Sequence, residues 1–212
     1  MSTTKKEPQI DWSEFDQFVT EFKGETDRAA VILGAAKLDL LLLQILQRVL
    51  LPCPRSSDEL FDGDAPLSTF SARIALLHRL GVIDDAFARE LHLIRRTRNA
   101  FAHEVLGCRL DSGGHRERVK EVYLPFRDLK FTGFFQSHYF DKEKGPSADF
   151  RTALAILVAR LEHLLLYVRS LAFTSPMPLV RSDWEKLGTT DEGAEAMPEV
   201  AESEEPSRAG DG

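Results

Sequence analysis

Cysteine and histidine are scarce in this chain of 212 residues, and they do not occur at the spacings typical of metal sites. The two cysteines, Cys53 and Cys108, form no Cys-x-x-Cys pair and are too few for a disulfide framework. The six histidines show neither His-x-x-His nor His-Glu-x-x-His spacing. We therefore expect no metal, and no motif in the sequence points to any other cofactor.

The chain also lacks an uninterrupted apolar run of the length that spans a membrane. Its longest apolar stretch covers residues 29–51 and contains five polar or charged interruptions, at Lys37, Asp39, Gln44, Gln47 and Arg48. The first residues are polar and show no apolar core of a signal peptide. These absences predict a cytoplasmic protein that does not enter a membrane.

A strongly basic segment is missing as well, and the acidic charge is concentrated at one end. The formal net charge is −7. Residues 182–212 contain ten acidic and two basic side chains, a net of −8, so residues 1–181 together carry +1. A nearly neutral body argues against direct DNA binding, which depends on neutralising phosphates. We also find no helix-turn-helix with a basic recognition helix.

The alternating apolar and polar pattern of β-strands does not persist anywhere in the sequence, whereas helical spacing recurs throughout. The sequence predicts an all-α helical bundle whose two long helices, residues 25–50 and 147–173, are mostly buried. Shorter helices are predicted over residues 11–22, 67–80, 85–105 and 115–123, and residues 126–145 give no clear pattern. We expect a flexible leader at 1–10, one domain at 11–175, and a disordered acidic tail at 176–212.

The most informative stretch places Arg98, Asn99 and His103 in a segment with helical spacing. One helical face carries the apolar residues Phe87, Leu91, Ile94, Phe101 and Val105. Continuing this face between residues 94 and 101 leads to Arg98, and a buried arginine needs a partner because an unpaired buried charge is costly. Asn99 and His103 lie four residues apart and are therefore neighbours on an adjacent face. The helix is predicted to present a guanidinium, an amide and an imidazole close together.

Two interpretations of these residues remain open from the sequence. In the catalytic one, Arg98 stabilises an anionic transition state, His103 acts as general acid or base, and Asn99 orients the reacting groups. Such groups suit metal-independent cleavage of RNA. In the structural one, Arg98 forms a buried ion pair with Asp39 or Glu162, and the other two side chains bond to the backbone.

Two segments of the chain, residues 29–39 and 59–103, have a combined pattern that is specific. Within the second, residues 66–74 read Pro-Leu-x-x-Phe-Ser-x-Arg-Ile and residues 94–103 read Ile-Arg-x-x-Arg-Asn-x-Phe-Ala-His. Together these segments resemble the mannitol operon repressor family of bacterial regulators, most closely over residues 25–107. The resemblance implies an all-helical fold and a role in transcriptional repression, without a standard DNA-binding motif. A regulator of this kind is expected to act through a protein partner.

The spacing of Arg98, Asn99 and His103 is also similar to the short Arg-x4–6-His signature of the HEPN superfamily, which includes ribonucleases and inactive binding modules. That resemblance would make Arg98 and His103 catalytic, with Asn99 supporting them, often at a dimer interface. Arg73, Arg95 and Asp39 are further candidates for a binding site or a buried charge network near this motif.

These observations lead us to expect a cytoplasmic, dimeric regulator of the mannitol-repressor type that binds a protein partner. The alternative is a HEPN-type ribonuclease or its inactive, RNA-binding relative, so RNA stays a candidate ligand.

Overall fold

The computed structural model describes residues 12–53, 55–104, 107–140 and 144–171, and this part of the chain forms seven α-helices and no strand. The helices are α1 (Trp12–Lys23), α2 (Asp27–Val49), α3 (Phe70–Arg79), α4 (Asp85–His103), α5 (Gly113–Tyr123), α6 (Lys130–Tyr139) and α7 (Pro146–Tyr167). The predicted all-α fold is confirmed. Two units divide the chain, residues 1–171 and 172–212. The predicted leader at 1–10 and tail at 176–212 lie outside the described residues.

Side-chain caps explain where three of the helices begin. The hydroxyl of Thr26 accepts a hydrogen bond from the Ala29 amide at the start of α2. Thr69 caps α3 in the same way, so this helix starts three residues later than predicted. Asp84 caps α4 through its carboxylate, which accepts from the Phe87 amide. Each cap satisfies an amide that has no partner within its own helix.

Helix α6 was not predicted, although Phe131, Phe135 and Tyr139 recur every four residues. Phe131 and Phe134 are exposed, while Phe135 is buried and contacts Phe15 of α1 edge to face. The α7 helix ends at Tyr167, six residues before the predicted end.

The long helices α2 and α7 run parallel to each other, side by side. Their contacts follow the same order along both helices: Asp27 with Ser147, Gly34 with Leu154, Lys37 with Glu162, and Arg48 with Leu165. Parallel neighbours need a long return connection, and here the chain segment that contains α3 to α6 provides it. By length and composition α2 could cross a membrane, but half of its most apolar window is buried inside the bundle, as in a core helix.

A largely shielded ion pair joins the N-terminal ends of the two long helices. Asp27 accepts hydrogen bonds from the Ser147 hydroxyl at 2.7 Å, from Arg151 Nη1 at 3.1 Å and from the Leu110 amide at 3.0 Å. Arg151 also donates to the Glu25 carbonyl at 2.7 Å. Burial alone would raise the pKa of Asp27, but these hydrogen bonds and the charge of Arg151 hold it below its ordinary value of 3.8.

The helix α4 lies antiparallel to α2 and completes the core. Arg28 near the start of α2 bonds to the carbonyl of Glu104 at the end of α4. The buried face of α4 carries the predicted residues Phe87, Leu91, Ile94 and Phe101. Val105, the last residue predicted on this face, lies outside the described residues.

Gly34→Ala is expected to lower the free energy of unfolding by about 2 kcal/mol, because a buried helix pair tolerates little added volume. A Cβ at position 34 would lie 1.8 Å from Leu154 Cδ2, and Leu154 is fully buried. Urea unfolding followed by circular dichroism measures the change. The control is Gly133→Ala in α6, where a Cβ meets nothing within 4 Å. That variant is expected to be as stable as the wild type or slightly more stable. Equal stability of the two variants would contradict the tight packing.

Asp27→Asn is expected to lower the free energy of unfolding by about 2 kcal/mol at neutral pH, because Arg151 loses its charged partner. The folded-state pKa of Asp27 is depressed, so its contribution is present above its ordinary value of 3.8 and is lost as the pH falls through the folded-state pKa. The difference from wild type should therefore shrink below about pH 4. Unfolding measured from pH 7 to pH 3 tests this, and Asp64→Asn at an exposed position serves as control. A difference that is independent of pH would contradict the role of the Asp27 charge.

Candidate functional site

A polar pocket of about 390 Å³ lies between α2, α4 and the segment that leads into α3. Four of the predicted site residues line it: Asp39 of α2, and Arg95, Arg98 and Asn99 of α4. The full lining is Ile32, Ala35, Ala36, Asp39, Ser68, Thr69, Phe70, Ser71, Arg95, Arg98 and Asn99. The hydroxyl residues of the pocket were not predicted as part of the site: Ser68 and Thr69 precede α3, and Ser71 lies in its first turn.

Arg73 forms the buried ion pair at one side of the pocket. Its Nη1 donates to Asp39 Oδ1 at 2.8 Å, and its Nε donates to the Leu67 carbonyl at 2.9 Å. The Arg73 side chain is only 10% exposed, so this pair fixes α3 and the preceding turn on α2. Burial raises the pKa of Asp39 above its ordinary value, although the charge and hydrogen bond of Arg73 act in the opposite direction.

Arg98 does not continue the buried face of α4, and that part of the sequence analysis is wrong. Thr97 occupies the buried position, where its hydroxyl donates to the Leu93 carbonyl at 2.9 Å. Residues 94, 97 and 101 follow one another at helical spacing. The buried position between Ile94 and Phe101 is therefore Thr97, not Arg98. Arg98 is exposed and donates from Nη1 to Asn99 Oδ1 at 3.1 Å.

Neither carboxylate predicted as the ion-pair partner of Arg98 fills that role. Asp39 pairs with Arg73, and Glu162 pairs with Lys37 at 2.9 Å. The charge of Arg98 acts on Asp39 without a hydrogen bond between them. Arg98 therefore keeps a guanidinium available to a ligand in the pocket.

Arg95 adds a second cation to the same pocket. The side chain is half-buried, and its Nε is shielded from solvent and makes no hydrogen bond within the described residues. The charge of Asp39 is already balanced by Arg73, so Arg95 and Arg98 leave the pocket net positive. An anionic group, such as a carboxylate or a phosphate, is the chemistry that this arrangement can bind.

His103 is exposed in the last turn of α4 and does not line the pocket. Five residues separate it from Arg98, and at about 100° per residue the two side chains leave the helix roughly 140° apart. Asn99 lies one turn earlier on the same face as His103, but it hydrogen-bonds to Arg98. The structure brings Arg98 and Asn99 together and leaves His103 apart from them.

Leu33 and Leu40 form an exposed apolar face on α2 beside the pocket. They are 44% and 48% exposed, and Ala36 lies between them on the same helical face and also lines the pocket. This exposed face was not predicted, because α2 is apolar nearly all the way round. A patch that combines leucines with unpaired arginines is typical of a protein-binding surface.

Comparisons with known proteins give one structural match and no match by sequence. A scan against protein-family models finds no match, and a search of curated proteins finds no relative. Among solved structures, the chain is similar to MtlR, the mannitol repressor, in the X-ray structure of the MtlR–HPr complex from Escherichia coli. The TM-score is 0.52 at 19% sequence identity, covering 70% of this chain and 99% of that chain. The likeness shows a mannitol-repressor-like fold and gives no support to the HEPN similarity.

Arg73→Ala and Arg98→Ala are expected to differ sharply in stability. Loss of Arg73 leaves Asp39 and the Leu67 carbonyl without their buried donor, which should cost about 3 kcal/mol. Loss of the exposed Arg98 should change the free energy of unfolding by less than about 0.5 kcal/mol. Urea denaturation of both variants provides the comparison. A loss of several kcal/mol of unfolding free energy in Arg98→Ala would show instead that Arg98 belongs to a buried ion pair.

Proposed function

We propose that this chain is a transcriptional regulator of the mannitol-repressor type that acts in the cytoplasm through contact with a protein partner. The observation that carries the proposal is the positive pocket with Arg95 and Arg98, together with the exposed Leu33 and Leu40 on either side of the pocket residue Ala36. The apolar side chains supply contact area, and the arginines supply charged anchors for acidic groups of the partner. The sequence resemblance and the shared fold with MtlR support the same function.

The partner that we propose to test first is HPr from the same cell. The solved structure with the shared fold is a complex of MtlR with HPr. The near-neutral charge of residues 1–181 favours a protein partner over DNA, because binding to phosphates across a duplex requires clustered basic residues. A homodimer is also part of this proposal. The exposed leucines of α2 are available to either partner, so dimerisation and HPr binding would compete for them.

The roles of the predicted site residues follow from this surface. Arg98 and Arg95 bind the anionic group of the partner, and Asn99 holds Arg98 in place through its hydrogen bond. Arg73 and Asp39 position the pocket by fixing α3 on α2. No described contact gives His103 a role in this surface.

Arg98→Ala and Leu40→Ser are each expected to weaken binding of HPr at least about tenfold, because both remove a central contact. Isothermal titration calorimetry with purified HPr measures the affinity. Two controls match these variants in residue type. Arg96→Ala removes an exposed arginine of α4 that does not line the pocket, and Leu124→Ser removes a leucine that is 59% exposed elsewhere. Both controls should bind like the wild type.

Failure of the wild type to bind HPr would overturn the choice of partner. Unchanged affinity in both the Arg98 and Leu40 variants would overturn the choice of surface. Sedimentation of the wild type and Leu40→Ser separates these outcomes from self-association, since a dimer built on this surface becomes monomeric in the variant.

A further inference from the structure

Three side chains with metal-binding atoms meet where α4 ends and α5 begins. Glu104 is the C-cap residue of α4, Cys108 lies in the following loop, and His115 lies in the first turn of α5. Their Oε2, Sγ and Nε2 atoms all lie within 4.8 Å of one another. The separations are 2.7 Å between Nε2 and Oε2, 3.1 Å between Sγ and Oε2, and 3.9 Å between Sγ and Nε2.

These separations are close to those required around one tetrahedral ion. Zinc bonds of about 2.3 Å to sulfur and about 2.0–2.2 Å to nitrogen and oxygen place neighbouring ligand atoms about 3.4–3.6 Å apart. To reach these distances, Glu104 Oε2 would have to move about 0.7 Å further from His115 Nε2 and about 0.5 Å further from Cys108 Sγ, while Sγ moves about 0.3 Å nearer to Nε2. Glu104, whose side chain is 44% exposed, has room to make this adjustment.

The mixed donor set narrows the class of metal. A cysteine thiolate and an imidazole favour borderline and soft metal ions. A carboxylate is a common zinc ligand but a poor ligand for copper(I), so the set as a whole favours zinc. Calcium and magnesium require oxygen ligands, of which the cluster offers one side chain. We propose that Glu104, Cys108 and His115 bind a zinc ion with three protein ligands and a water molecule in the fourth position.

The surroundings of the cluster hold the ligands in place. The His115 side chain is 13% exposed, and its ring lies edge to face on the buried Phe101 at 4.7 Å. Arg28 bonds to the backbone carbonyl of Glu104 and leaves the carboxylate of that residue to the cluster. In the metal-free chain the Cys108 thiol donates to Glu104. Zinc replaces this proton, which passes to solvent.

One contact of the metal-free chain must change when zinc binds. Arg118 Nη1 lies 3.4 Å from His115 Nδ1. Coordination through Nε2 leaves the proton of the neutral imidazole on Nδ1, so two donors would face each other. Arg118 therefore turns toward solvent in the bound form. Arg118→Ala removes this opposition and should bind zinc at least as tightly as the wild type.

Cobalt(II) provides the direct test, because a thiolate bound to tetrahedral cobalt gives a near-ultraviolet charge-transfer absorption that other ligands do not. We expect the purified wild type to bind one cobalt ion per chain with this absorption, and added zinc to abolish it. Cys108→Ser should lose the absorption. His115→Ala should bind cobalt at least about tenfold more weakly. The melting temperature should rise with zinc in the wild type and rise clearly less in both variants.

Matched controls come from the same chain. Cys53→Ser removes the other, exposed cysteine, and His103→Ala removes an exposed histidine one residue before Glu104. Both should keep the absorption and the rise in melting temperature. Absence of the absorption in the wild type, or its survival in Cys108→Ser, would overturn the zinc site. Circular dichroism confirms that each variant is folded, and none of these measurements depends on the proposed partner.

Discussion

The close parallel packing of α2 against α7 is the constraint on which the other contacts of the domain depend. Gly34 allows Leu154 to fill the space that a side chain of α2 would otherwise occupy. Because the helices are parallel, the chain between them has to return along the bundle, and α4 does so antiparallel to α2. The polar pocket forms where α3 and α4 meet the middle of α2, so its position follows from this arrangement.

Four arginines of the domain divide into two groups with different consequences. Arg151 and Arg73 each have a carboxylate partner on α2, at Asp27 and Asp39, and these pairs fix helices in position. Arg95 and Arg98 have no carboxylate partner within the described residues. Their charges are consequently available to a ligand. The fold thus supplies both the rigid support and the unpaired cations of the proposed partner surface.

Helix α4 contributes to the core, to the polar pocket and to the proposed zinc site through different parts of its surface. Its apolar face, including Phe101, packs in the core, while Arg98 and Asn99 border the pocket. Its C-terminal end brings Glu104 to the loop and to α5, where the proposed zinc ligands converge. A partner surface and a metal site on one rigid helix can be tested separately, because no residue is shared between them.

The all-α class, the two long buried helices and most of the buried face of α4 were predictable from the sequence, because apolar periodicity reports local burial directly. The sequence also singled out Arg73, Arg95, Arg98 and Asp39, since charges within apolar helices are conspicuous. Two outcomes were not predictable in this way, the pairing of Asp39 with Arg73 and the meeting of Glu104, Cys108 and His115. These outcomes depend on how separate helices are oriented and packed, and residues brought together in that way show no characteristic spacing along the chain.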